Sequence, residues 1–270
     1  MSNDASRRRL LAVALPMTAI PGLFPRRTSN PLFQISPEKL AHEISRLRSD
    51  PQPLRRPVVV LAGWRSPMLV SLALSERLSR LTSGNPSDFL ALAYPWKGCI
   101  EAVVRHVALE IASRFPGSST DETSEIDIVA HSMGGLVARA ASAGMVAPAP
   151  RVRIARLFTL GTPHRGAKLA RAIAPDAASR AMKPGSAWLA SLDAHHTEAT
   201  YELVCYAHLN DRWVGARNTA PPGRDPIWTA GTMAFSHFSV TEDRQILVDI
   251  ARRLRGEPPL AEGPSPPPRD

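Results

Sequence analysis

The run Ile126-Asp127-Ile128-Val129-Ala130-His131-Ser132-Met133-Gly134-Gly135 constrains this chain more than any other segment, because an apolar strand-like stretch passes through a serine and straight into a helical pattern. A serine on so sharp a strand-to-helix turn needs very small residues two positions before and two after, since anything larger collides with the adjoining strand or helix. Ala130 and Gly134 meet that need. Such a nucleophile elbow holds its hydroxyl out at the end of a strand, which makes Ser132 the candidate nucleophile. An ordinary strand–helix turn with a capping serine is the competing reading until partners for Ser132 are found.

The surroundings of the elbow repeat one pattern. Pro57 to Ala62 is a continuous β-branched run ending at Gly63, as in a strand buried on both faces of a parallel sheet. A helical stretch follows over Met68–Leu81, then a strand over Phe89–Tyr94, a helix over Ile100–Phe115, the elbow strand and its helix, and a strand over Val152–Leu160. Alternation at these lengths predicts an α/β fold, with a mostly parallel central sheet of about six strands and helices on both faces. Its ligand site then lies at the C-terminal ends of the strands. Leu40, Ile44 and Leu47 share one face of a helix over Pro37–Asp50. A helical insertion at about 164–200 interrupts the rhythm before strands at Tyr201–Ala207 and Pro226–Ala230 and a helix at Thr241–Leu254. The expected organisation is a disordered lead over 1–36, one domain over 37–255 and a disordered Pro-rich tail over 256–270.

At 270 residues and 44% hydrophobic content the chain can bury the core of one such domain. Cys99 and Cys205 show neither metal-ligand nor CxxC spacing. The net charge of +9 is spread along the chain with no basic stripe interleaved with aromatics, which argues against nucleic-acid binding and fits contact with an anionic membrane surface. Ser6-Arg7-Arg8-Arg9-Leu10-Leu11, followed by an apolar run to Phe24, resembles a twin-arginine export signal. Two readings stand: export or tethering through that signal, and a cytoplasmic chain.

A serine hydroxyl becomes a useful nucleophile only when a histidine takes its proton, and that histidine needs a carboxylate to hold its tautomer. The arrangement Ser, acid, His, each after a strand, is met by Ser132, Asp211 and His237. Asp176, Asp193 and Asp225 compete for the acid, and His208, His164 and the pair His195-His196 for the base. His131 is expected to pack against the sheet and His164 to support the site from a loop. Asp193 with His195 and His196 reads as a solvated cluster in preference to a metal site.

Ala130 to Gly135, Leu160-Gly161-Thr162-Pro163-His164-Arg165-Gly166 and Pro184-Gly185-Ser186-Ala187-Trp188-Leu189 together resemble the α/β-hydrolase lipases and esterases, bacterial triacylglycerol lipases and the GPI inositol-deacylase-like group among them. The resemblance runs from about Val58 to Leu254 and implies ester hydrolysis through an acyl-enzyme, with no cofactor and an ester or lipid as substrate. It also implies an oxyanion hole made by two backbone N–H groups, one from Met133 and one from Trp64 in the loop after the first core strand. That loop reads Ala62-Gly63-Trp64 where the family has His-Gly-x. Trp96, Trp188 and Met182 are candidates for the substrate pocket. An acyltransferase with the same triad and a non-catalytic binding protein of this fold are the alternatives. Acyl-chain length and oligomeric state have no signature here.

Overall fold

A computed structural model of the chain describes residues 28–95, 98–195, 199–232 and 235–268. Six strands, β1 (Val58–Leu61), β2 (Phe89–Leu92), β3 (Ile126–His131), β4 (Ile154–Leu160), β5 (Glu202–His208) and β6 (Ile227–Thr229), form one sheet in the order β2-β1-β3-β4-β5-β6. Every pairing between them is parallel. The expected α/β architecture is therefore observed, and β3, which carries the elbow, lies inside the sheet with a neighbour on each side.

Strand alternation divides the core in two. Val59 and Leu61 of β1 join Ile126, Ile128 and Ala130 of β3 on one face, where α3 (Ile100–Arg114) and α4 (Met133–Ser142) pack. Val58, Val60, Val129 and Phe158 face the other way, against α1 (Pro37–Ser49), α2 (Met68–Leu81) and α8 (Arg244–Arg255). Such side chains are buried above and below, which is why β1 reads as an unbroken apolar run. Helix ends follow local chemistry: Asp243 accepts from the Gln245 and Ile246 amides at the start of α8, and Gly256, at φ 76°, closes it in the left-handed conformation.

The insertion between β4 and β5 holds a short 3₁₀ turn at Leu169–Arg171, then α5 (Ala177–Ala181) and α6 (Ala187–Ala194). A four-residue helix, α7 (Ser236–Ser239), sits between β6 and α8.

Two expectations need correction. Residues 28–36 and 256–268, read as part of a disordered lead and tail, pack on the domain and on one another. The Glu262 amide donates to Leu32 O at 2.8 Å, and Ser265 Oγ bonds Asn30 Oδ1 at 3.0 Å. Asp249 of α8, fully buried, accepts from Tyr206 Oη and from the Leu260 and Ala261 amides, so a buried carboxylate anchors the tail. Composition misled because the proline-rich backbone is satisfied by side chains of other elements, Asp249 of α8 and Arg217, which donates to Pro267 O. The twin-arginine-like segment lies outside the described residues. Among the described residues no helix is long and apolar enough to cross a membrane.

Candidate active site

Ser132 occupies the turn between β3 and α4 at φ 52°, ψ −126°, a left-handed conformation that non-glycine residues rarely adopt. The turn leaves no room for larger neighbours. A Cβ on Gly134 would lie 2.7 Å from Ala62 O, and one on Gly135 would lie 2.3 Å from Thr162 Oγ1. The Thr162 hydroxyl in turn donates to Ser132 O at 2.8 Å.

The structure brings Ser132, Asp211 and His237 together from three separate stretches of chain. His237 Nε2 lies 2.9 Å from Ser132 Oγ, and His237 Nδ1 lies 2.8 Å from Asp211 Oδ2. All three are buried. The second oxygen of Asp211 accepts from the Trp213 and Val214 amides at 2.9 and 3.0 Å. Burial by itself pushes the Asp211 carboxyl up, but the imidazole beside it and the two amides outweigh burial and leave it below the usual carboxylate range. With the carboxylate fixed in this way, Nδ1 carries the ring proton and Nε2 is left to accept one from Ser132.

The competing residues are engaged elsewhere. His208 Nε2 is 3.1 Å from Asp243 Oδ2. His164 is buried, with Nδ1 3.1 Å from the Arg139 guanidinium and Nε2 3.1 Å from Thr159 Oγ1, beneath the elbow helix. Asp193 pairs with Arg139 at 2.8 Å and His195 bonds Ser191 O, so the expected solvated acidic–histidine cluster is instead partly consumed by a buried arginine. His196 lies outside the described residues. Asp225 is exposed, and Asp176 contacts Trp64 and Arg65.

His131 does more than pack. Its Nε2–H donates to His237 O at 2.9 Å, and its ring centroid is 5.0 Å from that of His237. Burial above all, with the neighbouring His237, lowers it to about 3, so it stays neutral and keeps that tautomer.

A cleft of about 580 Å³, open to solvent, lies over Ser132. Trp64 and Met182 line it, as do Pro163, Leu169, Ile173, Trp213 and Phe238. Trp188, on α6, does not: it is half-buried and packs against the core. Trp96 lies outside the described residues. Met133, the first residue of α4, carries an amide with no acceptor within its own helix, at the end where a helix favours negative charge. Gly63 presses on the elbow, since a Cβ there would lie 3.0 Å from Ser132 Cβ, and this carries the Trp64 backbone to the mouth of the cleft.

Three contributors escaped the sequence. Trp213 stacks on His237 with centroids 5.5 Å apart and planes 12° off parallel, and Phe238 stands edge-on to the same ring at 5.4 Å. Their positions beside Asp211 and His237 were the available signal. Arg139, fully buried, is the lone charge in an otherwise small and apolar helix, which was also visible.

Comparison with known proteins identifies the fold as that of the α/β-hydrolases. Aspergillus fumigatus lipase B superposes with a TM-score of 0.56 at 12% identity, over 87% of this chain and 64% of that one. The propeptide form of Bacillus licheniformis lipase BlEst2 gives 0.51 at 17% identity, over 80% of this chain and 54% of its own. Phospholipase PlaB from Legionella pneumophila gives 0.50 at 13% identity, over 61% and 44%. This chain thus spans less than two thirds of each of these three. A domain family of unknown function, DUF7379, matches residues 104–176, which include the elbow. No curated protein matches the sequence.

Proposed function

We propose that the chain is a serine hydrolase of carboxylic esters. The observation that carries this reading is the unbroken contact from Ser132 Oγ through the His237 ring to Asp211, at 2.9 and 2.8 Å, on the floor of an apolar cleft. The similarity in fold to proteins named as lipases and a phospholipase supports the same class.

His237 Nε2 takes the Ser132 proton as Oγ attacks the ester carbonyl, and the Met133 and Trp64 amides donate to the oxyanion that forms. Collapse breaks the bond to the alcohol oxygen, which leaves with the proton from His237. Water then attacks the acyl-enzyme, giving its proton to His237, and the second collapse returns that proton to Ser132 as the acid departs. Asp211 holds the imidazolium in both halves without becoming protonated. Leu169, Ile173, Met182 and Phe238 offer an acyl chain apolar walls. Trp213 and Phe238 are partly exposed, and Ile173 and Phe235 more so, which fits an ester of lipid character.

Turnover of a p-nitrophenyl ester series from acetate to palmitate, beside Ser132→Ala and His237→Ala, tests the proposal. Hydrolysis lost in both variants is expected. A folded wild-type protein that turns over no ester and takes no fluorophosphonate label would overturn it.

A further inference from the structure

The loop from Ala62 to Pro67 brings the Trp64 amide to the cleft, yet it has alanine where the related family has histidine. Other groups hold it. The Tyr94 hydroxyl donates to Ala62 O, and the Ser66 amide donates to Gly63 O at 3.3 Å. Arg65 sits at φ 51°, a strained conformation for a residue with a side chain, which persists only where the surroundings over-determine it.

What over-determines it reaches across from the insertion. Asp176, the residue that caps α5, divides its carboxylate. Oδ1 accepts from the Ser179 amide at 2.8 Å and from the Ser179 hydroxyl at 2.7 Å, closing the first turn of the helix. Oδ2 accepts from the Trp64 indole at 3.1 Å and from Arg65 Nε at 3.1 Å, and the Arg65 guanidinium also lies over the Trp64 ring. The Ala178 amide donates to Gly98 O at 2.8 Å, which ties the same turn to the loop after β2. Ser179 and Met182, on and just after α5, line the cleft together with Trp64.

We infer that Asp176 is a positioning residue for the oxyanion loop, joining the roof of the cleft to Trp64 so that α5 and the Trp64 amide move as one unit. The inference rests on the ester-hydrolase reading above. With the Arg65 side chain 54% exposed, the Arg65–Asp176 ion pair would by itself contribute little to stability. Its value is geometric: the Asp176 side chain is only 12% exposed, and the indole bond fixes the residue whose amide must meet the oxyanion. Burial raises the Asp176 carboxyl, but its bonds to Ser179 and Trp64 and the charge of Arg65 outweigh that and hold it below its ordinary range, so the link is present at neutral pH.

The test separates the two jobs of the carboxylate. Asp176→Ser keeps a short side-chain oxygen to cap α5 but cannot reach Trp64 and Arg65; Trp64→Phe keeps the amide and ring but removes the indole donor. Losing an oxyanion donor outright costs about 10² to 10³ in kcat. Misplacing one is expected to lower kcat about 10- to 100-fold in each variant, with KM within about threefold. Affinity for a trifluoromethyl ketone, which mimics the tetrahedral intermediate, should fall in parallel, and the double variant should be no worse than the poorer single one. Unchanged kcat in both single variants, or a rise in KM alone, would overturn the link while leaving the hydrolase reading intact. A wild-type protein inert to esters and to fluorophosphonate would overturn both.

Discussion

Two histidine–carboxylate pairs lie close together at the same end of the sheet, and they do different things. His237 bonds Asp211 through Nδ1 and turns Nε2 to Ser132 at the cleft. His208 bonds Asp243 through Nε2, but its Nδ1 faces Ser236 O at 2.8 Å, a main-chain carbonyl next to His237. Gly231 is wedged against that ring, where a Cβ would lie 2.5 Å from His208 Cγ. The second pair is thus a clamp on the loop that carries the first. An imidazole beside a carboxylate is common hardware; what its other nitrogen meets decides whether it can move a proton to a substrate or only hold the backbone.

The comparison breaks most decisively at the serine. Ser132→Ala and His237→Ala should each lower ester kcat by about 10⁴-fold or more, measured in saturating substrate, because the two act as a unit. Asp211→Asn should cost about 10³- to 10⁴-fold with the fold retained, since the amide can no longer enforce the Nδ1–H tautomer. His208→Ala should cost far less activity, about tenfold, but about 2 kcal/mol in urea denaturation, because Asp243 loses its imidazole, keeping only Thr229 and the α8 amides, and the buried Ser236 carbonyl loses its donor. If His208→Ala were as inactive as His237→Ala, the division of labour would be wrong.

Acid sharpens the distinction between buried imidazoles and buried carboxylates. His131 is held neutral, lowered from 6.5 to about 3. Between those values the unfolded chain binds a proton that the folded one refuses, so stability falls with pH, by about 2 kcal/mol between pH 6.5 and 5. Asp211 and Asp243 are lowered, so their contribution is present above the ordinary carboxylate range and is lost only below it. Denaturation midpoints at pH 7 and 5 should therefore converge in His131→Asn relative to wild type, and equal slopes in the two proteins would refute the assignment. The smallest effect is expected from Trp213→Leu. Its ring stacks on His237, where a cation–π contact would favour the imidazolium, and kcat should fall about three- to fivefold with little change in KM.

Most of the sheet was legible because it obeys local rules. The runs at β1 and β3, the helix over Met68–Leu81 and the small residues around Ser132 are properties of adjacent positions, dictated by pleat, helical period and steric room. The three members of the Ser132–His237–Asp211 contact could also be named, because strand order implies where the ends of strands meet. Trp188 could not be placed, since a tryptophan on a short helix fits a cleft or a core equally well in sequence. The tail was misread because its anchor, Asp249, lies on another element.

By itself, then, the sequence determined the alternation of strands and helices, the elbow and the chain order of its candidate partners, for each of these follows from periodicity or from steric demand within a few residues. Only the tertiary structure decided that Asp176 reaches Trp64, that His131 holds the His237 carbonyl, that Trp213 stacks on the His237 ring and that Arg139 lies buried between His164 and Asp193. The first two of these contacts join positions more than a hundred residues apart. Each depends on how whole elements pack, and long-range closure of that kind leaves no periodic trace in the chain.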